Sequence, residues 1–342
     1  MKREKSVRRT IQVVGSLVCL LLLMTACGEE PADAAPTPAE LRTLDSLQSL
    51  TERRADAVQA RRDAEDSVRI SYTPLAISSA ADLKIFRENY TPEQRRVILA
   101  LNRRDSRHLH YGDTLVVPQP LHDSLMLYSP FPRHLPELTF VPKFTLVSYR
   151  VQAFGAYEYG RLVRWGPTSM GKRSTPTPTG LYSVNWKAKR AVSTVDRSWI
   201  LPWNVNVMNF EGVSMHQFEM PGYPASHACM RLLEEDAYWN YTWAESWILG
   251  ADRKLQARGT PVLIFGRYDY KSPSPWSRLP TNPAIHRVDA IDLRPFRAAL
   301  GTILEWTSTR DSVLRARIEK ERAPADSSQA RTAQATNEQS AG

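Results

Sequence analysis

The chain has 342 residues, of which 42% are hydrophobic and 24% charged, so its composition predicts a largely folded protein. Its formal charge is +9. The first 26 residues hold five basic side chains and one acidic one, and without them the formal charge falls to +5. The remaining basic residues are scattered and are not interleaved with aromatic residues, which argues against nucleic acid as a partner.

The N-terminus has the pattern of an export signal. A basic start precedes fourteen mostly apolar residues, Ile11 to Met24, a run shorter than the roughly 20 residues of a membrane-spanning helix. It ends in MTAC, which resembles a bacterial lipoprotein signal in which the cysteine, here Cys27, is lipidated. The resemblance predicts a signal peptide at 1–26 and a lipid anchor that holds the protein in the cell envelope, facing the periplasm. An ordinary signal peptide cut near Ala26 is the alternative.

A spacer is predicted next. Residues 27–36 have the composition of a flexible tether. Thr37, Pro38 and Glu40 then form a capping box with proline at the first helical position. Leucines follow at a spacing of three, before charged residues dominate up to about residue 69. We predict a charged helix over 37–70, of which about 30 residues would span about 45 Å between membrane and cell wall.

Residues 72–120 are predicted to form a small helical module. The segments AADLKIFRENY and PEQRRVILALN have helical apolar spacing, and GDTLVVP is typical of a short strand that ends at Pro118. This order resembles a LysM peptidoglycan-binding module that lacks a clear first strand. The alternative is a helical adaptor packed on the domain that follows.

From residue 141 to 268 the pattern changes to short strands separated by turn signals such as STPTPTG. FTLVSYRVQAF and GLYSVNW alternate in part, and GTPVLIFG is a buried run bounded by glycines. One helix is predicted after Arg231, with Leu232, Leu233 and Ala237 towards the sheet. The fold class is therefore mainly β with flanking helices, plus an α-rich N-terminal region. A Pro-rich connector and a helix are predicted for 269–322, and a disordered tail for 323–342.

Cys229 would be the single thiol of the mature chain, because Cys19 lies in the predicted signal and Cys27 would carry lipid. Two neighbours, His227 and Arg231, make its burial as a plain apolar residue costly. Three interpretations stay open: a nucleophile, a structural cysteine, and a zinc site formed with His216 and His227. We favour the nucleophile, and we expect no metal or other cofactor.

A nucleophilic cysteine is expected to have a lowered pKa. A free thiol with a pKa of about 8.5 is about 3% thiolate at pH 7, and a pKa of about 6.5 would raise this to about 75%. Because His227 lies two residues from Cys229, its reactive tip is poorly placed, and His216 on another strand is the better base. Backbone N–H groups of Ala228 and Cys229 would form the oxyanion hole.

These residues together resemble a known family, the L,D-transpeptidases with a YkuD-type catalytic domain. Its signature is a histidine, a variable stretch, and Ser/Thr-His-Gly-Cys, often followed by Arg-Leu; this chain has His216 and then SHACMRL from Ser226. TSMGKRSTPTPTGLYSV upstream and GTPVLIF downstream complete the resemblance over about 125 residues. It implies Cys229 as nucleophile, His216 as general base and His227 as the second motif histidine. It implies a substrate pocket shaped by Ser226, Arg231 and Gly222.

The resemblance implies acyl transfer on peptidoglycan stem peptides. Cys229 would attack the carbonyl of an L-centre and expel D-alanine, and an acceptor amine would resolve the thioester. If water resolves it, the enzyme is an L,D-carboxypeptidase or endopeptidase. A non-catalytic, lipid-anchored wall-binding protein is the alternative from another class.

Two features depart from the family pattern. Ala228 replaces the motif glycine, which costs about 1–2 kcal/mol if that residue has a positive φ. The gap from His216 to Ser226 is nine residues, so the loop over the nucleophile is shorter than usual. Other histidines are expected on the surface or in packing, namely His108, His110, His122, His134 and His286. Trp199 and Trp203 are expected in core packing more than in a cleft.

Overall fold

The computed structural model describes residues 70–339, with side chains described for 70–322. Four predicted features lie outside the described residues and stay predictions: the signal peptide, the tether, the lipid anchor at Cys27 and the 37–70 helix except for Ile70. None of the described helices is long and apolar enough to cross a bilayer.

The N-terminal module consists of β1 (Ser71–Ile77), α1 (Ala80–Asn89), α2 (Pro92–Leu101) and β2 (Asp113–Gln119). The two strands pair antiparallel along their whole length, from Ser71 opposite Gln119 to Ile77 opposite Asp113. Both helices and β2 agree with the predicted elements, whereas β1 was missed. Its sequence, SYTPLAI, contains Pro74 and has just two buried side chains, Tyr72 and Ile77, so it lacks the signature of a strand.

The first sheet of the β domain has five strands in the order β5-β4-β3-β13-β6. Strands β3 and β13 run parallel, and the other neighbours are antiparallel. FTLVSYRVQAF, which alternates in part, contains residues of both β3 and β4, and the turn between them holds Gln152 with φ 46°. The strands are β3 (Phe144–Ser148), β4 (Ala153–Glu158), β5 (Arg161–Pro167), β6 (Gly180–Ser183) and β13 (Pro261–Phe265).

The second sheet has four strands in the order β10-β9-β8-β7, with β9 and β10 parallel. A short hairpin, β11 (Ile248–Leu249) with β12 (Leu255–Ala257), lies apart from it. Side chains from both sheets form one apolar core, which includes Val147, Phe154, Val205, Met215 and Ile264. The strands of the second sheet are β7 (Lys187–Val192), β8 (Ile200–Met208), β9 (Val213–Gln217) and β10 (Met230–Leu232).

The helix predicted after Arg231 is α3, which spans Glu234–Trp243 and contacts β8 and β9. It starts later than predicted because Leu232 belongs to β10. Ala237 is buried as expected, and the aromatic side chains of Trp239 and Tyr241 pack against the same core.

The C-terminal region returns to the β domain through a long helix, α4 (Arg294–Gln339). Arg310 on α4 donates from Nε to Glu245 Oε2 at 2.9 Å, which fastens this helix to the segment after α3. The disordered tail predicted for 323–342 is wrong up to Gln339, where the backbone is helical. The tail is polar but rich in alanine, the residue with the highest helix propensity.

Candidate active site

Two neighbouring parallel strands bring the predicted residues together. The register of β9 and β10 places Met215 beside Met230 and His216 beside Arg231. Side chains alternate across a sheet, so the two buried methionines share the core face and His216 and Arg231 share the opposite face. This face of β9 and β10 is the candidate site.

The same alternation adds Ser214 and Cys229 to this face, each two residues before His216 or Arg231. Cys229 precedes β10 by one residue, and its Sγ lies 3.8 Å from Ser214 Oγ and 3.7 Å from the carbonyl oxygen of Gly212. Cys229 and His216 are therefore diagonal neighbours, with Cα atoms expected about 8 Å apart from ordinary sheet spacings. Ser214 was missed from the sequence, although its position two residues before His216 was the available signal.

A narrow cavity of about 30 Å³ lies beside His216, Cys229 and Arg231. It has room for one or two water molecules and not for a peptide, so a substrate has to engage Cys229 from the mouth of the cavity. Ten residues line it: Ser193, Val195, Trp199, Leu201, His216, Phe218, Ser226, His227, Cys229 and Arg231.

His216 is oriented as a base. Its Nδ1 lies 2.9 Å from the carbonyl oxygen of Gln217, and because a carbonyl accepts, Nδ1 holds the proton and Nε2 keeps a free lone pair. The ring is 3% exposed. This burial and the charge of Arg231 lower the pKa of His216 to about 4, although the hydrogen bond to Gln217 acts in the opposite direction. At neutral pH the imidazole is uncharged and able to accept a proton.

Cys229 does not have the lowered pKa expected from its charged neighbours. Burial raises the pKa of its thiol, and the hydrogen bonds to Ser214 and the charge of Arg231 offset part of that rise. Charged neighbours are visible in the sequence, whereas desolvation, which favours the neutral thiol, depends on the fold. The resting pair is thus a neutral thiol and a neutral imidazole.

The Cys229 thiol forms no hydrogen bond with His216, its predicted base, in the structure. Within the described residues, the hydrogen-bond contacts of Cys229 Sγ are to Ser214 and Gly212, and none is to His216. Because Cys229 and His216 lie on one sheet face and line one cavity, a change of the Cys229 rotamer is the movement that would bring Sγ to Nε2.

Ala228 has a left-handed backbone, with φ 78°. Its carbonyl accepts a bond from Thr177 Oγ1 at 2.8 Å, and the same hydroxyl accepts the N–H of Gly171 at 2.9 Å. Alanine in this conformation carries a cost of about 1–2 kcal/mol, which glycine would not have. The backbone between His227 and Cys229 is therefore strained and held by the loop that contains Gly171 and Thr177.

His227 is held by Lys172, a residue that sequence reasoning missed. Lys172 Nζ lies 3.0 Å from His227 Nε2, and since an ammonium group only donates, the proton of the neutral ring is on Nδ1. Nδ1 is buried and has no hydrogen-bond partner within the described residues. Burial lowers the pKa of His227, as do the charges of Lys172 and Arg231, so the ring stays neutral. Lys172 reaches it because its own N–H pairs with the Ser226 carbonyl at 2.8 Å, a long-range contact without a sequence signature.

Of the three residues predicted to shape the substrate pocket, two line the cavity and one does not. Ser226 is buried and lines the cavity, and Arg231 lies with its guanidinium 4.6 Å from the Phe218 ring centre. Gly222 is not among the described residues that line it. Gly222 has φ 93° and approaches Arg104, so that an added Cβ would lie 2.9 Å from Arg104 Nε. This close approach joins the loop to the N-terminal module, and the predicted place of Gly222 in the substrate pocket stays a prediction.

The remaining sequence predictions concern two tryptophans, one histidine and the zinc interpretation. Trp199 lines the cavity and lies 5.3 Å from the His227 ring, so it belongs to the cleft more than to core packing. Trp203 lines a second, larger groove. His286 is a buried packing residue, as expected. In the part of the chain that the structure describes, no three His, Cys, Asp or Glu side chains are grouped as metal ligands, so the zinc interpretation has no support.

Residues 144–264 match the family model of the L,D-transpeptidase catalytic domain, named YkuD. The match includes His216 and the whole segment from Ser226 to Leu232. None of the curated proteins compared with the chain matches it.

Solved structures with similarity to the chain include three bacterial enzymes. An L,D-transpeptidase from Mycobacterium smegmatis is 20% identical, covering 36% of this chain and 59% of its own, with a TM-score of 0.30. One from Stackebrandtia nassauensis is 21% identical, with 37% and 57% coverage and a TM-score of 0.30. L,D-transpeptidase 1 from Mycobacterium tuberculosis is 23% identical, with 36% and 62% coverage and a TM-score of 0.28.

The chain thus spans less than two thirds of the length of these three structures, and TM-scores this low support no argument of their own. The family match carries the assignment, and the mainly β fold with its flanking helices agrees with it. Residues 144–264 form an L,D-transpeptidase catalytic domain of the YkuD family.

Proposed function

We propose that this protein is a cysteine-dependent L,D-transpeptidase that acts on peptidoglycan stem peptides through a thioester acyl-enzyme. The observation that supports this most is the shared sheet face of β9 and β10, on which His216, Cys229 and Arg231 line one cavity inside the matched domain. This arrangement provides a nucleophile and a neutral base from different strands, which nucleophilic catalysis requires.

Acylation begins when Cys229 turns towards His216. The thiol proton moves to Nε2 of His216 as Sγ forms a bond to the carbonyl carbon of the L-centre, and the carbonyl π electrons move to oxygen. When the carbonyl re-forms, the C–N bond breaks and the amine of D-alanine leaves with the proton from His216. Because thiol and imidazole are both neutral at rest, proton transfer accompanies attack and does not precede it.

The oxyanion needs donors that do not have to reorganise. We assign this role to the backbone N–H groups of Ala228 and Cys229, which the left-handed conformation at Ala228 orients. His227, fixed by Lys172 with its proton on Nδ1, adds a neutral donor beside them. Ser226 and Arg231 shape the wall that receives the stem peptide.

We further propose that Cys27 carries a lipid anchor and that the protein faces the periplasm in the cell envelope. The basic start, the short apolar run and the MTAC sequence support this placement. It would bring the catalytic domain to its polymeric substrate.

The direct test is the mass of the intact protein after incubation with faropenem. A solved L,D-transpeptidase 3 from Mycobacterium tuberculosis is in complex with a faropenem-derived adduct. We expect the wild-type chain to gain one adduct and Cys229→Ala, which keeps Cys27, to gain none. An equal adduct in both proteins, or none in either, would overturn the assignment of Cys229.

The products of stem-peptide turnover then separate the related activities. With a tetrapeptide donor and an amine acceptor, a transpeptidase releases D-alanine and forms a cross-linked product in equal amounts. Release of D-alanine with tripeptide alone indicates a carboxypeptidase. Unchanged peptides for both wild type and Cys229→Ala indicate a binding protein without activity.

A further inference from the structure

A groove much larger than the catalytic cavity lies between the N-terminal module and the catalytic domain. Its volume is about 710 Å³, within the range of ligand sites in proteins. One wall is α2 and the turn after it, with Arg95, Arg96 and Arg107. The other is the start of α3 and the end of β9, with Glu234 and Phe218.

The module wall is fixed to the segment that follows His216. The N–H of Asp105 donates to the carbonyl of Met220 at 2.9 Å, and the N–H of Met220 donates to Asp105 Oδ2 at 2.9 Å. Arg104 forms a β-bridge to Pro221 next to this pair. The groove is thus a formed feature of the fold, because these hydrogen bonds and the β-bridge join both walls at one end.

Phe218 connects this groove with the catalytic cavity. It lines both, and it lies two residues after His216 and 4.6 Å from the guanidinium carbon of Arg231. A ligand in the groove therefore has a short route past Phe218 to the mouth of the Cys229 cavity.

Charges in the groove are only partly paired. Arg96 bonds Glu235 across the groove at 3.2 Å, and Arg104 is paired with Asp113 at 2.7 Å. Within the described residues, Arg107 on the module wall and Glu234 on the catalytic wall have no ion pair and no side-chain hydrogen bond. Both side chains are exposed. Opposite walls thus present a free cation and a free anion, which fits a ligand that carries a carboxylate and an ammonium group.

We propose that this groove binds the acyl acceptor, a zwitterionic stem peptide, and delivers its amine to the Cys229 thioester; this rests on the proposed function. Arg107 binds a carboxylate of the peptide. Glu234 draws the ammonium group to the wall that continues past Phe218. The acceptor site is therefore built jointly by the N-terminal module and the catalytic domain.

The step that follows balances with the groups present. The amine, after losing a proton to water, attacks the thioester carbon, and a C–N bond forms as the C–S bond breaks. The sulfur takes the electron pair of that bond, and the second proton of the amine passes through His216 to the thiolate. The products are the cross-linked peptide and the neutral thiol–imidazole pair of the resting enzyme.

The test measures binding without turnover. The full chain with Cys229→Ala is titrated calorimetrically with a synthetic stem tetrapeptide that has a free side-chain amine, and with the same peptide acetylated on that amine. We expect Arg107→Glu and Glu234→Lys each to raise the Kd for the free-amine peptide at least tenfold. Acetylation should remove the effect of Glu234→Lys but keep that of Arg107→Glu.

Two matched charge reversals provide controls. Arg278→Glu and Glu305→Lys change the net charge equally at exposed positions outside the groove, and we expect neither to alter the Kd. Equal peptide affinity in the groove variants and the controls would overturn the proposal. So would a stem-free glycan oligomer that binds in an Arg107-dependent manner when the peptide does not.

Faropenem labelling separates this proposal from the proposed function. With Cys229 intact, wild type and the control Arg278→Glu should form the adduct at the same rate, since Arg278 lines neither the groove nor the catalytic cavity. Loss of the adduct from wild type overturns the cysteine-dependent mechanism, whereas unchanged peptide affinity in the groove variants overturns the acceptor site alone.

Discussion

Two buried polar clusters in this protein are built from similar parts and behave differently. At the junction between the N-terminal module and the β domain, Arg103 is 0% exposed, donates from Nε to the Val151 carbonyl at 2.9 Å, and lies against the rings of Trp165 and Trp276. At the catalytic cavity, His216 is 3% exposed and lies beside Phe218. Burial lowers the pKa of both groups, to about 9 for Arg103 and to about 4 for His216.

The difference lies in what each group leaves available. Arg103 donates from Nε to the Val151 carbonyl and from Nη1 to the Leu101 carbonyl, its Nη2 is buried without a hydrogen-bond partner among the described residues, and its guanidinium faces apolar rings, so its burial joins two parts of the chain. His216 uses one nitrogen on Gln217 and keeps the other for a cavity that it shares with Cys229. A buried titratable group is thus a candidate for catalysis when one of its polar atoms faces a cavity. It has a structural role when protein atoms enclose all of them.

We expect the largest effect at the catalytic cavity, on the rate of acylation. His216→Gln removes the base, and we expect the rate of acylation by faropenem to fall about 10²–10⁴-fold while the protein stays folded. Time-resolved intact-mass measurement provides the rate. His110→Gln, at an exposed position outside the cavity, is the control and should keep the wild-type rate. A wild-type rate in His216→Gln would show that another group takes the thiol proton.

We expect the next largest effect at the junction between the N-terminal module and the β domain, on the free energy of unfolding. Arg103→Ala leaves a cavity beside Trp165 and Trp276 and two carbonyls without donors, so we expect the free energy of unfolding to fall by roughly 3 kcal/mol. Urea denaturation measures this, and the exposed Arg107→Ala should change stability by less than about 0.5 kcal/mol. The faropenem rate per folded molecule should not change. A loss of rate without loss of stability would contradict the architectural role.

The dependence of the free energy of unfolding on pH tests whether His216 is buried as a neutral ring. Because the pKa of folded His216 is about 4, against an ordinary 6.5, the unfolded chain binds more protons between these pH values, and stability falls as pH decreases through this window. The full contribution is about 3 kcal/mol at 1.36 kcal/mol per pKa unit. His216→Gln should therefore lose less stability than wild type between pH 6.5 and pH 4. Parallel curves for the two proteins would mean that His216 is not buried as a neutral ring.

The smallest effect concerns the strained turn between His227 and Cys229. Ala228→Gly relieves a positive φ, so we expect the free energy of unfolding to rise by about 1 kcal/mol after the larger chain entropy of unfolded glycine is subtracted. Thermal denaturation measures the shift. Ala228→Val, the opposite change, should destabilise the protein. A destabilised Ala228→Gly would indicate that the backbone at this position differs from the left-handed conformation described above.

Much of the domain was predictable because its signals are local. Helical apolar spacing predicted α1 and α2, and a glycine-bounded apolar run predicted β13. The motif around Cys229 identified the residues that share the site. Strand β1 was missed because Pro74 and its exposed positions hide its pairing, and Lys172, Ser214 and Trp199 entered the site through contacts between segments far apart in the chain.

By itself, the sequence determined which side chains are the candidates for catalysis and indicated strands near them, since alternation and spacing are properties of a single segment. Tertiary structure alone decided the protonation state of Cys229 and His216, because desolvation depends on every element packed around a group. It also decided that Gly222 serves a junction, that Ala228 is strained, and that the N-terminal module forms one wall of a groove beside the catalytic cavity.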